Sequence, residues 1–398
     1  MNLRLFFTCV VLSMLAACST NVVKVKNEKK GKLHPVMKLE EAMVKKMLLD
    51  SVSAPKPQSI QIFQDSTGVH HFTFINRYDN SIYFYNYETL KFERKIKWER
   101  LGSNGIRKSD GYYIKNMDSI YVYNLIVNEI VLTNHKSKIL KRISLKGDED
   151  NKTWYLNYPN YYPKTVTPLI EAGGKLLFTG AYYNSLTESM LDNFRFNAQI
   201  DLKLNNVVFH HLYPKELYGH GSNWDGGLLT EVFPELHPDG DKLIYSFPVS
   251  HDLYITEINS THYKKVYAGS NFAGTISSID RPPKNTSNEI ILDNYIKNDS
   301  YSAIKYDKFR KVYYRFLLKG IPNATKSTKW QDKPIAIIIM DENFKYLGET
   351  VIGNMNDWNW ENSFVTKEGL NIEYIEKDFK KDLEKVYLTL KIFTLKKI

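Results

Sequence analysis

The sequence predicts an all-β protein, a six-bladed β-propeller behind an N-terminal lipoprotein signal peptide. Three observations lead there. From about Ser59 to the C-terminus, Tyr, Ile, Val and Phe alternate with polar residues in short runs, the period of a strand. A tight turn followed by such a run recurs at Thr67-Gly68, Met117-Asp118, Gly173-Gly174, Asp239-Gly240, Asp307-Lys308 and Glu368-Gly369. One run, Ser81-Ile82-Tyr83-Phe84-Tyr85-Asn86, is nearly copied as Ser119-Ile120-Tyr121-Val122-Tyr123-Asn124. Each unit has room for four strands. A small twisted sheet cannot bury both faces alone, whereas sheets stacked around an axis do, and they leave only short edges. A pair of β-sandwich domains is the alternative arrangement of the same strands.

The N-terminus reads as an export signal. Met1–Arg4 carries one positive charge, and Leu5–Leu15 is an apolar run too short to span a bilayer as a helix. Leu15-Ala16-Ala17-Cys18 resembles the bacterial lipobox, which implies cleavage after Ala17 and acylation of Cys18 by palmitate-like chains. A single chain anchors weakly, at ~0.8 kcal/mol per buried CH₂, so several chains are what make such attachment stable. The expected organisation is residues 1–17 signal peptide, 18–36 lipid anchor and basic tether, and 37–398 propeller.

Both cysteines, Cys9 and Cys18, lie in this segment, so the body has no disulfide, no thiol nucleophile and no cysteine–zinc site. The core alone must stabilise it, and a chain of 398 residues, 14% aromatic, is ample for one. The net charge of +10 is partly in Lys24, Lys26, Lys29, Lys30 and Lys32, a stretch suited to an anionic membrane surface or simply to solvent. The remaining charge is scattered and the chain is read as exported, so nucleic acid is not an expected partner.

Within the first unit the strands fall near 59–64, 70–76, 81–87 and 91–98. The last unit lacks an outer strand, which the segment near 35–45 can supply to close the ring. Residues 39–51 suit a short amphipathic helix or an edge strand. Ser270–Ser300 is long and irregular and is the weakest fit to the scheme.

His237-Pro238-Asp239-Gly240-Asp241-Lys242-Leu243-Ile244-Tyr245 resembles the turn-and-strand of TolB-like propeller repeats. Together with Asn80–Asn86, Gly102-Ser103-Asn104-Gly105, Asp118–Tyr123 and Tyr306-Asp307…Tyr313-Tyr314-Arg315, it is similar to an uncharacterised family of Bacteroidetes lipoproteins, classed as a domain of unknown function. The resemblance implies a six-bladed propeller over nearly all of the mature chain. It brings no activity or site residues. In that phylum surface display goes with acidic residues after the lipidated cysteine. Ser19-Thr20-Asn21-Val22-Val23-Lys24 has none, which favours the periplasmic side of the outer membrane.

Candidate chemistry is sparse. His70-His71 and His210-His211 sit in strands, where neighbours point to opposite faces and cannot chelate together. His220, Asp225, His237 and His251 are close enough in sequence to meet near one rim, as metal ligands or as ordinary polar residues. No Gly-x-Ser-x-Gly elbow is present. Gly221–Gly227 lacks the lysine and helix of a phosphate loop. Asp148, Asp225, Asp357 and Glu361 are loop carboxylates, by default solvated. The sequence calls for no cofactor and no metal.

The most suggestive feature is a set of aromatic loops: Trp154-Tyr155, Tyr158, Tyr161-Tyr162, Trp224, Trp330 and Trp358-Asn359-Trp360. Rings interleaved with Asn, Asp and Lys suit sugars, peptides or protein partners, and equally suit packing beneath loops. Trp154, Tyr155, Trp224, Asp225, Trp358 and Trp360 are the candidate ligand-binding residues. In a four-stranded meander, second-to-third turns and blade links open on one face. Here those are the long ones, Gly147–Lys164, Tyr182–Asn193, Pro214–Gly227, Asn271–Asn294, Gly320–Lys333 and Asn354–Asn362, and a binding face is expected there. The expectation is a monomeric, membrane-anchored, non-catalytic envelope protein that binds a glycan, peptide or protein. The alternative is a lactonase-like hydrolase with a metal at the central channel, an analogy from other six-bladed propellers. Converging carboxylates, Asn or His on the innermost strands would favour the enzyme, and an apolar or empty channel the binder.

Overall fold

The computed structural model describes residues 22–50, 52–53, 57–146, 158–182, 191–219, 222–376 and 386–398. Six four-stranded antiparallel sheets surround one axis. Blade 1 is Gln58–Gln64, His70–Asn76, Ser81–Asn86 and Phe92–Lys97. Blade 2 is Ser109–Asn116, Ser119–Asn124, Glu129–Thr133 and Ile139–Ser144, and blade 3 is Ile170–Ala172, Lys175–Thr179, Arg195–Asp201 and Val207–Leu212. Blade 4 is Phe233–Leu236, Lys242–Ser246, Asp252–Glu257 and Lys264–Tyr267, and blade 5 is Ser300–Asp307, Val312–Leu318, Pro334–Asp341 and Tyr346–Asn354. Blade 6 is Trp358–Thr366, Gly369–Tyr374, Val386–Lys397 and, from the N-terminal end of the body, Met37–Leu49. All six anticipated turns join a first strand to a second. Gly68 and Gly240 hold them at φ 87° and 79°, where a side chain would strain the backbone.

The strand sequences follow from their place in a blade. Middle strands are covered on both faces by the neighbouring blades, so they read as continuous apolar runs. Val312–Leu318 is buried at every position, and Pro334–Asp341 at all but its ends. Outer strands face water and carry charge, as in Phe92–Lys97, where only Ile96 is buried. Core clusters fill the gaps between blades 1 and 2, blades 2 and 3, blades 6 and 1, and along blades 3 to 5. Blades 4 and 5 are also joined by Arg315, fully buried. Its guanidinium donates to Ser246 Oγ and to the carbonyls of Ser250, His251 and Ala268, and lies 3.9 Å from the centre of the Tyr301 ring.

The described part of the segment at residues 39–51 forms an edge strand, Met37–Leu49, not a helix, and it closes the ring. Met37 pairs with Lys397 and Leu49 with Val386, with a bulge between Glu41 and Met43. Lys45 fixes the junction with blade 1. Its Nζ lies 2.8 Å from Glu368 and 3.7 Å from the centre of the Tyr87 ring, while Tyr87 Oη donates to Glu368 Oε2 at 2.8 Å. Gly348 lets this strand enter: a Cβ there would collide with the Met37 carbonyl.

The lysine-rich stretch ahead of the closing strand is bound to the body from Val23 on. Lys24 and Val25 pair with Ser277 and Ile276. Asn27 Nδ2 donates to the carbonyls of Ser270 and Ala273, and Leu33 N to Asn271 Oδ1. The irregular Ser270–Ser300 stretch receives this strap. It holds the helix Asn288–Lys297, capped by Ser287, between blades 4 and 5. No helix among the described residues is long and apolar enough to cross a membrane.

Candidate functional site

First strands run toward the tight-turn face, so blade links and second-to-third turns gather on the opposite face, as the meander geometry requires. On that face the chain ahead of blade 3 dips into the central channel. Thr165 and Val166 are buried there. Thr165 Oγ1 accepts from Ile60 N of blade 1 and donates to Asn362 Oδ1 of blade 6. Ser59 Oγ of blade 1 donates to the Pro163 carbonyl. Val166 packs with Phe233 of blade 4, Ala303 of blade 5 and Trp360 of blade 6. Phe233 and Trp360 meet edge to face at 5.8 Å. The channel is therefore filled on this side by a plug of small polar, aliphatic and aromatic groups.

Above the plug, Lys164 Nζ sits between two carboxylates, 2.9 Å from Glu231 Oε1 and 2.8 Å from Glu361 Oε1. Burial works against the lysine's charge, but the two carboxylates outweigh it and hold its pKa above the ordinary value. Burial in turn pushes Glu231 upward, against the pull of Lys164. All three stay partly open to solvent. Lys164 and Glu231 edge a cleft of about 260 Å³ bounded also by Tyr162, Ala181, Gly226–Leu228 and Thr230, and Glu361 adjoins it through its pair with Lys164. The cleft offers one cation, one or two carboxylates, backbone groups of a glycine turn, and the Tyr162 ring. Such a set suits hydroxyls, amides or a zwitterion.

Elsewhere on the first strands, carboxylates also pair with lysines rather than converge. Glu235 lies 3.6 Å from Lys305, and Glu171 2.6 Å from Lys115. Among the described residues no three His, Cys, Asp or Glu side chains are placed to share a metal ion.

The sequence profile of a domain of unknown function, DUF4221, matches residues 37–351. The chain belongs to the DUF4221 family. A DUF4221 protein from Bacteroides vulgatus superposes with a TM-score of 0.73 at 18% identity, covering 91% of this chain and 99% of that one. A Bacteroides fragilis protein whose name proposes export superposes with a TM-score of 0.52 at 10% identity, over 90% of this chain and 95% of that one. At these identities the likeness is one of fold. No curated protein is similar enough to this sequence to match it.

In this DUF4221 chain the anticipated binding residues are not one exposed cluster. Trp154, Tyr155, Asp148 and His220, like Cys18, lie outside the described residues. Trp224 is buried, with its indole N–H on the Leu217 carbonyl at 2.7 Å. Trp358 and Trp360 are buried in the first strand of blade 6, not on a loop. Their Asn-rich surroundings resemble a turn, but Asn359 and Asn362 donate to Glu373 from within the blade. Among the described residues the exposed loop tryptophan is Trp330. Of the anticipated rim, Asp225, His237 and His251 do not come together either. His237 lies at the tight-turn face, while Asp225 and His251 lie at the other.

Asp225 is buried at φ 52° on the glycine turn that borders the cleft. Its Oδ1 accepts from Asn294 Nδ2 at 2.6 Å, and its Oδ2 has no hydrogen-bond partner among the described residues. Burial pushes its pKa to about 7. Nearby, Lys333 is buried beneath the Asn288–Lys297 helix, donating to the carbonyls of Tyr295 and Asn298, and burial lowers its pKa to about 8. His211 is likewise buried, between Tyr245 Oη and the Glu257 carbonyl, with its pKa lowered by burial to about 4, which keeps it neutral near pH 7. Lys164 and Glu231, central to the cleft, were missed in the sequence. Neither stands in a motif, and they meet only because the plug folds into the channel.

Proposed function

We propose that this DUF4221 propeller is a lipid-anchored envelope protein, monomeric and non-catalytic, that binds a glycan or peptide in the Lys164–Glu231–Glu361 cleft. The observation that carries this reading is the cleft itself: a solvent-reachable lysine held between two carboxylates beside an aromatic wall, over a filled channel. Catalytic carboxylates aim a lone pair at a reacting atom or metal, whereas both of these turn an oxygen to Lys164, which supports a role in orienting a ligand. The filled channel also supports binding over a metal-centred reaction. Support for the envelope location is the lipobox-like Leu15–Cys18 and the Bacteroides relative named for export.

The test is capture of periplasmic glycans and peptides by the mature protein, read by calorimetry, with Glu361→Gln and Lys164→Met beside wild type. Loss of capture with the melting temperature retained is expected. Undiminished capture by both variants, or turnover of the captured compound, would overturn the reading. For the anchor, Cys18→Ala is expected to leave the membrane fraction on cell fractionation; retention there would refute lipidation at this site.

A further inference from the structure

The strap leaves little slack between the anchor and the body. Val23 is already fixed, its N–H on Ser278 Oγ and its carbonyl accepting from Ser278 N. Val25 O lies 3.2 Å from His251 Nε2, at a second-to-third turn. Ile279, next along, pairs with Asn223 on the link between blades 3 and 4. The chain therefore leaves the body on the face of the blade links. From Cys18 to Val23 is five residues, at most about 17 Å of extended chain. A propeller tethered this closely cannot turn its other face to the bilayer.

The surface beside that exit has the composition of a membrane interface. Leu228, Leu292 and Trp330 are exposed, at 54%, 42% and 43%. They lie on neighbouring elements, since the turns Asp225–Gly227, next to Leu228, and Trp330–Asp332 both pack on the Asn288–Lys297 helix that carries Leu292. Around them Lys24, Lys26, Arg281, Lys284, Lys326 and Lys329 are exposed. The exposed acids on the same elements are fewer, Glu28, Asp280, Glu289 and Asp293, the last paired with Lys297 at 2.8 Å, while Asp332 is half-buried and Asp225 buried. Aliphatic and indole tips among basic side chains insert at the headgroup level while the cations meet anionic lipid.

We infer that this face docks on the anionic lipid surface to which the protein is anchored, with Trp330, Leu292 and Leu228 at the interface. The inference rests on acylation of Cys18 for its geometry, and on the exposed residues for its chemistry. Docking in this orientation turns the Lys164 cleft toward the bilayer, so its ligand is reached from the membrane side.

The test uses the lipidated full chain on vesicles of phosphatidylcholine, with or without phosphatidylglycerol, containing lipids brominated near the headgroup. Quenching of tryptophan fluorescence is expected on phosphatidylglycerol vesicles and is expected to be lost in Trp330→Phe. The unlipidated mature chain should also partition onto phosphatidylglycerol, and Lys326→Gln/Lys329→Gln should weaken that partition about 30-fold, at ~1 kcal/mol per cation. Absence of Trp330 quenching while the protein pellets with the vesicles overturns the docking, as does equal quenching on both lipids. If instead mass spectrometry finds no lipid on Cys18, the anchor reading fails. Partition of the unlipidated chain, with Trp330→Phe as control, then decides the face independently.

Discussion

Thr165 and Asn362 meet at the centre of the ring, Thr165 Oγ1 donating to Asn362 Oδ1 at 2.7 Å. Thr165 belongs to the segment ahead of blade 3 that enters the channel and Asn362 to the first strand of blade 6, so the bond fixes the plug to the channel wall. Asn362 Nδ2 also donates to the Pro57 carbonyl and to Glu373 Oε2. One buried amide thus joins the plug to blade 6 and to the entry of blade 1. Asn362→Leu keeps the volume but leaves the Thr165 hydroxyl and a carboxylate oxygen short of partners. A loss of about 2–4 kcal/mol in denaturant unfolding is expected. Thr165→Val, which removes the hydroxyl alone, should cost less. Equal stability of Asn362→Leu and wild type would mean that the plug is not a structural element.

Ring closure gives a second expectation. The N-terminal strand completes blade 6, so its loss opens the seam between the ends of the chain. Gly348→Ala drives a methyl group into the Met37 carbonyl and should displace the start of this strand. Lys45→Met leaves Glu368 with Tyr87 as its remaining hydroxyl donor and should cost about 1–3 kcal/mol, less than for a fully buried pair because Glu368 is partly open. Hydrogen exchange should show faster opening in Met37–Leu49 and Val386–Lys397 than in blade 3. Uniform exchange across all blades would contradict this.

The parts of this fold that were legible are those where backbone chemistry is local. Thr67-Gly68 and Asp239-Gly240 announce turns because a positive φ needs glycine, and the flanking alternation gives the strands on either side. The missing outer strand of the last unit pointed to the segment near Met37, because a sheet with an unpaired edge needs a partner. What could not be read is what depends on contacts across the ring. Nothing in Tyr162–Thr167 has a period, so the plug looked like part of a loop. Trp358 and Trp360 stood among Asn and Asp and so looked exposed, whereas Asn359 and Asn362 turn to Glu373 on the next strand inside the blade. Arg315 was noticed only as part of a family resemblance, yet its guanidinium holds the carbonyls of a neighbouring blade.

The burial of these rings changes what their removal does. Trp224→Ala, Trp358→Ala and Trp360→Ala should each lower stability by about 3–5 kcal/mol, the cost of a large cavity. Trp330→Ala, at an exposed tip, should change it by about 0.5 kcal/mol or less. Chemical denaturation of the four variants separates the two groups. A stable Trp360→Ala variant would contradict the packing of the channel plug.

Asp225 gives the pH dependence. Its folded pKa, about 7, lies above the ordinary 3.8 because burial disfavours the charged form. A carboxyl raised on folding stabilises the fold fully below its unfolded pKa, and the benefit is lost as pH rises through the folded value. The window therefore runs from about pH 4 to pH 7, and a shift of about three units corresponds to roughly 4 kcal/mol at most. Lys333 moves the opposite way. Its pKa falls from 10.5 to about 8, so its contribution changes only above the Asp225 window. Carboxyls of the unfolded chain titrate at the lower end of this window, which makes the difference between wild type and Asp225→Asn the informative quantity. The asparagine keeps an oxygen for Asn294 Nδ2 and carries no charge. Stability of wild type relative to Asp225→Asn should fall steadily between pH 4 and pH 7 and level off above. At pH 8 the variant should be the more stable of the two, because it no longer buries an ionised carboxylate with one unsatisfied oxygen. Parallel stability profiles would show that Asp225 ionises normally, and that Lys333 compensates the charge across the helix.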